Sequence, residues 1–246
     1  MRSKISLYSI ILITSIFFSA QFSSIRARQL TIAVLDFKDN SPLSSEELKP
    51  MQQGLADMMI TTLSQVGELK LVERSQLNTI MEEMALGQSG VIDESTAQQV
   101  GNIIGAHCLV LGSFMKGFKD DIRIDCRIVQ TETAVTLKAE EVSGDLEDIL
   151  ELMNKLGQKV IKNLDIKLNS KEKKSIQQLE KSCSYEVLLN YFKALNLIEK
   201  KKFREADQLL IGVIKQCPKF KRAVIVRKKM HAYVKKLLQD RKSKTK

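Results

Sequence analysis

The histidines and cysteines, which often carry nucleophilic, acid–base or metal chemistry, are scarce in this 246-residue chain and, apart from the adjacent His107 and Cys108, widely spaced: His107 and His231, and Cys108, Cys126, Cys183 and Cys217. No pair of them has metal-ligand spacing, and no C-x-x-C is present. A Ser-His-Asp or Cys-His set would have to use His107 or His231, and neither lies in a nucleophile motif. Gly87-Gln88-Ser89-Gly90 lacks the lysine and the spacing of a phosphate-binding loop, and nothing after the first strand fits G-x-G-x-x-G, so it reads as a plain turn. The residues therefore predict no catalytic site, no cofactor and no metal. An enzyme of this sequence would need a polar pocket converging on His107.

What remains is charge, which is divided along the chain. Residues 165–246 hold 23 Lys and Arg against 8 Asp and Glu, whereas residues 28–164 hold 13 against 21. Candidate interaction residues are Lys200, Lys201, Lys202, Arg227, Lys228 and Lys229 in the basic part, with Glu73 and Arg74 at a strand-to-helix junction. Arg74 has two readings: a carboxylate partner within the fold, or a contact to another protein. Lysine-rich patches bind phosphate electrostatically, but nucleic acid is not expected, because the N-terminus reads as an export signal. Anionic membrane surface, teichoic or lipopolysaccharide phosphates, the acidic domain of another copy, or simply solvent are the readings left for the basic tail.

That N-terminus is Met1-Arg2-Ser3-Lys4 followed by a charge-free run from Ile5 to Ile25. A basic n-region and an apolar h-region make a signal peptide over residues 1–27, cleaved after Ala27 or kept as an anchor. No cysteine stands just after the run, the first being Cys108 far downstream, so no acyl anchor is expected. The expected location is the periplasm, in association with the outer membrane.

The elements that would position the candidates follow from periodicity. Leu30 to Phe37 is mostly apolar and β-favouring, as a strand buried on both faces would be. Ser44 and Glu47 fit a capping box, opening a helix with Leu48, Met51, Leu55, Met58, Met59 and Leu63 on one stripe. A strand over 69–73, a helix capped by Ser75, and a helix opened by Ser95 and ended by Gly105 come next. Strands over 108–114 and 122–129 pair across a short loop, with apolar residues at the even positions of the second. A strand over 134–142 and an amphipathic helix up to Leu164 complete residues 28–164. The order predicts an α/β, or α+β, sandwich: one mixed β-sheet with packed helices.

Several of these segments resemble the CsgG family: Ile32-Ala33-Val34-Leu35-Asp36-Phe37, Val72-Glu73-Arg74-Ser75-Gln76-Leu77, Leu86-Gly87-Gln88-Ser89-Gly90, Gly101 to Ala106, and Leu109-Val110-Leu111-Gly112-Ser113. The resemblance implies a non-catalytic, periplasm-facing domain acting by protein–protein contact in envelope assembly, secretion or its regulation, with other envelope proteins or itself as partner. The alternative it implies is a ring-forming transport subunit of an outer-membrane channel. The short turn between the two long strands has no inserted membrane hairpin, which favours the accessory role.

From Val187 the chain is similar to one tetratricopeptide repeat, with Ala194, Leu197, Phe203, Ala206, Leu210, Val213 and Ile214 at the matching places. In that hairpin the ends bearing Cys183 and Cys217 are neighbours, making them a candidate disulfide, with two free thiols as the other state. A lone repeat leaves its stacking face open, to be covered by the α/β domain, a partner, or a third helix with Ala223, Val224, Val226, Met230, Val234 and Leu237 inward. The expected divisions are a linker over 165–182, a small helical domain over 183–238, and a disordered basic end over 239–246.

Overall fold

The computed structural model describes residues 29–43, 46–84, 93–178 and 183–244. The leader, the Ser44 cap and the Gly87–Gly90 turn lie outside them. Among the described residues there are six strands, β1 (Leu30–Val34), β2 (Lys38–Asp39), β3 (Leu69–Leu71), β4 (Cys108–Lys116), β5 (Asp121–Gln130) and β6 (Thr136–Asp145), forming one sheet. The helices are α1 (Lys49–Leu63), α2 (Arg74–Glu83), α3 (Glu94–Ile104), α4 (Ile149–Asn163), α5 (Ser170–Gln177), α6 (Tyr185–Glu199), α7 (Phe203–Gln216) and α8 (Lys221–Lys244).

The sheet is mixed, as expected. Its order is β3-β1-β4-β5-β6, with β1 parallel to β3 and β4, and β4, β5 and β6 antiparallel in turn. The parallel pairs need helical crossovers, which α1 to α3 supply; the antiparallel ones need short turns. Even positions of β5 (Ile122, Ile124, Cys126, Ile128) enter the larger core under α1 and α4, while Ala33, Leu35, Leu109, Leu111 and Val129 face the smaller core under α2 and α3. The sheet is thus a middle layer between two pairs of helices.

The opening strand is broken rather than continuous. Ile32 lies opposite Cys108 but Lys38 opposite Ser113, so the segment 35–37 holds one residue more than β4 and forms a bulge. Phe37 turns its N–H to the Gln52 carbonyl at 3.0 Å. Its ring covers Gly112, where a Cβ would come within 2.3 Å of it. Bulk at 37 thus demands glycine at 112.

Local signals misplaced several ends. Asp93, not Ser95, caps α3, accepting from the Thr96 N–H at 2.8 Å. Glu73, not Ser75, precedes α2, because its backbone is already extended while Ser75 is helical. Leu48 precedes α1, which begins with Pro50 in its first turn. β6 starts only at Thr136, after Ala134 turns in the left-handed region at φ 56°.

Two regions expected to be irregular are helical. Within the expected linker, α5 is held by a capping box of Asn169 and Glu172 and buries Ile176 against the core. At the C-terminus α8 continues to Lys244, well into the stretch expected to be disordered.

The helices α6 and α7 form an antiparallel pair covered on one side by α8 and on the other by α1. Their buried side chains Leu188, Tyr191, Phe192, Ala194 and Leu210 belong to the same cluster as the sheet's inner face. The α/β domain and the third helix, two of the three expected covers, therefore share the stacking face. Gly54 on α1 makes the approach possible: a Cβ there would fall 2.2 Å from the Phe192 ring. Enclosed by sheet and hairpin, α1 buries Gln53 and Asp57 as well as its apolar stripe.

Candidate interaction surface

The seam between α1 and the helical hairpin collects the polar groups of the interior. Asp57, with its side chain 6% exposed, accepts the Tyr191 hydroxyl at 2.7 Å on Oδ2 and a two-pronged contact from Arg222 of α8, Nε at 3.1 Å on Oδ2 and Nη2 on Oδ1. Burial alone would disfavour the Arg222 charge, but the hydrogen bonds and field of Asp57 raise its pKa further still. The Tyr191 hydroxyl is driven well above the usual phenol range, first by burial and then by the Asp57 charge. One carboxylate on α1 thus fixes α6 and the first turn of α8. A cleft of 330 Å³ opens beside it, bordered by Thr61, Asn154, Phe220 and Ile225 among others.

A second polar group lies where β1 and β3 end. Arg74 donates Nη1 to Asp36 Oδ1 at 2.7 Å, and Asn78 donates to Glu199 at the end of α6. Burial opposes the Arg74 charge, yet the facing Asp36 carboxylate raises its pKa above the ordinary value. Glu199 is shifted upward by burial, then by Asp36. Of the two readings for Arg74, the internal carboxylate partner is present in the fold, and Glu73 beside it is exposed.

The remaining candidates also divide. Arg227 Nε meets Asp207 Oδ1 at 2.7 Å, and His231 Nε2 approaches the same oxygen at 2.7 Å, so α7 and α8 are joined there. The side-chain hydrogen bond from Arg227 lowers the Asp207 pKa. Lys202, which precedes α7, lies 3.8 Å from Glu205 in the first turn of that helix. Lys200, Lys201, Lys228 and Lys229 face solvent, Lys201 in the left-handed turn between the helices at φ 59°.

Cys183 and Cys217 are joined in a disulfide, with Cα atoms 5.7 Å apart, which ties the start of α6 to the end of α7. Cys108 and Cys126 are buried free thiols. Their register, opposite Gln130 and Gly112 respectively, sets them four pairs apart on the ladder rather than side by side. Burial pushes the Cys126 thiol up to about 12.

His107 is committed to the backbone. The Thr31 N–H donates to His107 Nδ1 at 2.9 Å while the His107 N–H donates to the Thr31 carbonyl at 2.8 Å. A cleft of 660 Å³ beside it is bordered by Asn102, Thr131, Glu132 and Asp165. Among the described residues no nucleophile is hydrogen-bonded to the ring. Among the described residues, no three His, Cys, Asp or Glu side chains are placed to hold a metal ion, and no helix is long and apolar enough to cross a membrane.

Sequence reasoning missed Asp57, Tyr191 and Arg222. Asp57 sits off the apolar stripe of α1, where a charge ordinarily marks the wet face. Its signal would have been the neighbouring Gly54, whose missing side chain admits a second helix layer on that same face.

The known proteins most similar in structure include the LpoB C-terminal domain from Escherichia coli, at 13% identity and a TM-score of 0.40 over 53% of this chain and 93% of that one. Lipoprotein GNA1162 from Neisseria meningitidis aligns at 14% identity and a TM-score of 0.37, over 56% of this chain and 99% of that one. The PelC dodecamer structure from Paraburkholderia phytofirmans aligns at 11% and 0.37, over 57% and 91%. No curated protein sequence matches the chain. The family model described as the curli production assembly/transport component CsgG matches residues 15–117, which takes in β1 to β4 with α1 to α3 and ends at the turn before β5.

Proposed function

We propose that this is a non-catalytic envelope protein of the CsgG family that acts by binding other proteins, as an accessory to envelope assembly or secretion rather than as the channel. The observation that carries the reading is the family match over residues 15–117, the parallel half of the sheet and its crossover helices. The leader directs the chain to the periplasm in this reading, and the helical pair, a tetratricopeptide-like addition, serves as a second contact surface. The engagement of His107 by Thr31 and of His231 by Asp207 supports structural roles for both histidines. Against the channel alternative stands the β4–β5 connection, which turns within residues 117–120.

Purified full-length protein imaged for ring-shaped particles and tested for conductance in planar bilayers separates the two roles. An accessory forms no conducting ring; channel activity would overturn the proposal. Photo-crosslinkers at exposed Glu73 and Lys200 in the producing cell should trap one defined protein. Cross-links scattered without a dominant product argue against a binding role. An enzyme built on His107 would lose activity, but not stability, on replacement of that residue by Asn.

A further inference from the structure

The outward face of α8 combines charge and apolar surface in a way the seam contacts leave unused. At 3.6 residues per turn, Ala223 and Met230, 0% and 4% exposed, define the inner side of the helix. On the opposite arc lie Lys221, Lys228, Lys229, Lys235 and Lys236, all exposed, with Ile225, 46% exposed, among them at the rim of the seam cleft and Val224, 47% exposed, at the margin of the arc. Val224 was expected inward and is not. The five lysines extend over about 22 Å of helix at 1.5 Å per residue.

The two kinds of basic residue on α8 are sorted by side. Arg222 and Arg227 turn to the fold and make forked contacts to Asp57 and Asp207. Among the described side chains of α8 the outward cations are all lysine. Arginine suits fixed, planar carboxylate partners, whereas lysine is a compact charge on a flexible stem that makes no demand on partner geometry. An array of lysines with aliphatic side chains among and beside them fits a fluid anionic surface with an apolar layer just beneath it. An acidic protein would satisfy the charge but would give Val224 and Ile225 no general reason to be bare.

We infer that α8 is a docking surface for an anionic phospholipid bilayer, lying along it with the lysines among the phosphates and Val224 and Ile225 entering the interface. This does not depend on the accessory reading, since it rests on the charge and exposure of α8 alone, although the same helix meets the family-matched residues through Arg222 and Asp57.

The test uses the full chain with an environment-sensitive fluorophore on Ala232→Cys, an exposed position of the same arc. Emission is followed during titration with vesicles of phosphatidylcholine alone or mixed with phosphatidylglycerol. The leader is common to all samples, and the probe reports on α8 alone. A blue shift on the mixed vesicles is expected, and none on the neutral ones. Replacing all five lysines by Gln should move the lipid midpoint at least about a hundredfold, because each is worth roughly fivefold near an anionic surface. Val224→Ser with Ile225→Ser should abolish the blue shift even where binding persists. Unchanged emission on anionic vesicles would overturn the inference. So would an equal response to soluble polyglutamate that survives loss of Val224 and Ile225, which would assign the face to an acidic protein. Unchanged thermal unfolding of both variants excludes misfolding as the cause.

Discussion

Replacing Arg222 by Met should weaken the whole fold, because it strands the Asp57 carboxylate inside the seam. Asp57 would keep the Tyr191 hydroxyl but lose both prongs of the guanidinium while remaining 6% exposed. Breaking one side of a buried pair costs about 3–5 kcal/mol. The Arg222 side chain is 21% exposed, so water can partly replace it and the low end, about 3 kcal/mol, applies. For a chain of this size that is a fall in Tm of about 6–12 °C. The control is the triple replacement Asp57→Leu, Tyr191→Phe, Arg222→Met, which removes every polar partner together. It should lie within about 1–2 kcal/mol of the parent, since an apolar set of similar volume costs little. Urea unfolding followed by circular dichroism measures both. If Arg222→Met alone costs under about 1 kcal/mol, the pair is screened as at a surface and the seam is wetter than the geometry implies.

Gly54→Ala should separate α1 from α6, because its methyl would sit 2.2 Å from the Phe192 ring; a loss of at least about 1–3 kcal/mol in urea is expected, and Phe192→Leu alongside it should recover part. Replacing Cys183 and Cys217 by Ser frees a loop of sequence separation 34, lowering stability by about 3–4 kcal/mol in the chain-entropy account, measured against the oxidised parent. Glu199 has its folded pKa raised above 4.5 by burial and Asp36, so its charge costs stability above that folded pKa. Glu199→Gln should therefore raise Tm at neutral pH, with the gain vanishing as pH falls through the folded pKa towards 4.5; a constant gain at all pH values would exclude the charge as its cause. Asp207 has the opposite sign, since Arg227 depresses its folded pKa below 3.8. The stability difference between parent and Asp207→Asn should be full above pH 3.8 and disappear as pH falls through the folded pKa, read from Tm across an acid series.

Much of the layered fold was legible because its signals are local. The even-position apolar residues of β5 assign one face to a core whatever it packs on, and the apolar run Cys108-Leu109-Val110-Leu111 that opens β4 requires cover on both sides. Gly105 ends α3 in the left-handed conformation at φ 67°, a role readable from its position after Ile104. Hairpin geometry made Cys183–Cys217 pairing one of two open states, and the structure holds the disulfide. The bulge at residues 35–37 was not legible, since its cause is the space Phe37 finds over Gly112, 75 residues along the chain.

By itself the sequence determined the mixed sheet, the helical pair behind it and the separation of acidic from basic halves, because periodicity and composition act within each segment. Only the tertiary structure decided what became of the charges. Asp57 became the anchor of the seam, Arg74 and Arg227 became internal partners, and the outward lysines of α8 were left as a surface. The reason is that desolvation depends on what lies within a few ångströms in space. Where α1 is enclosed on both sides, a carboxylate must take the arginine that the fold brings to it, and no spacing along the chain records that meeting.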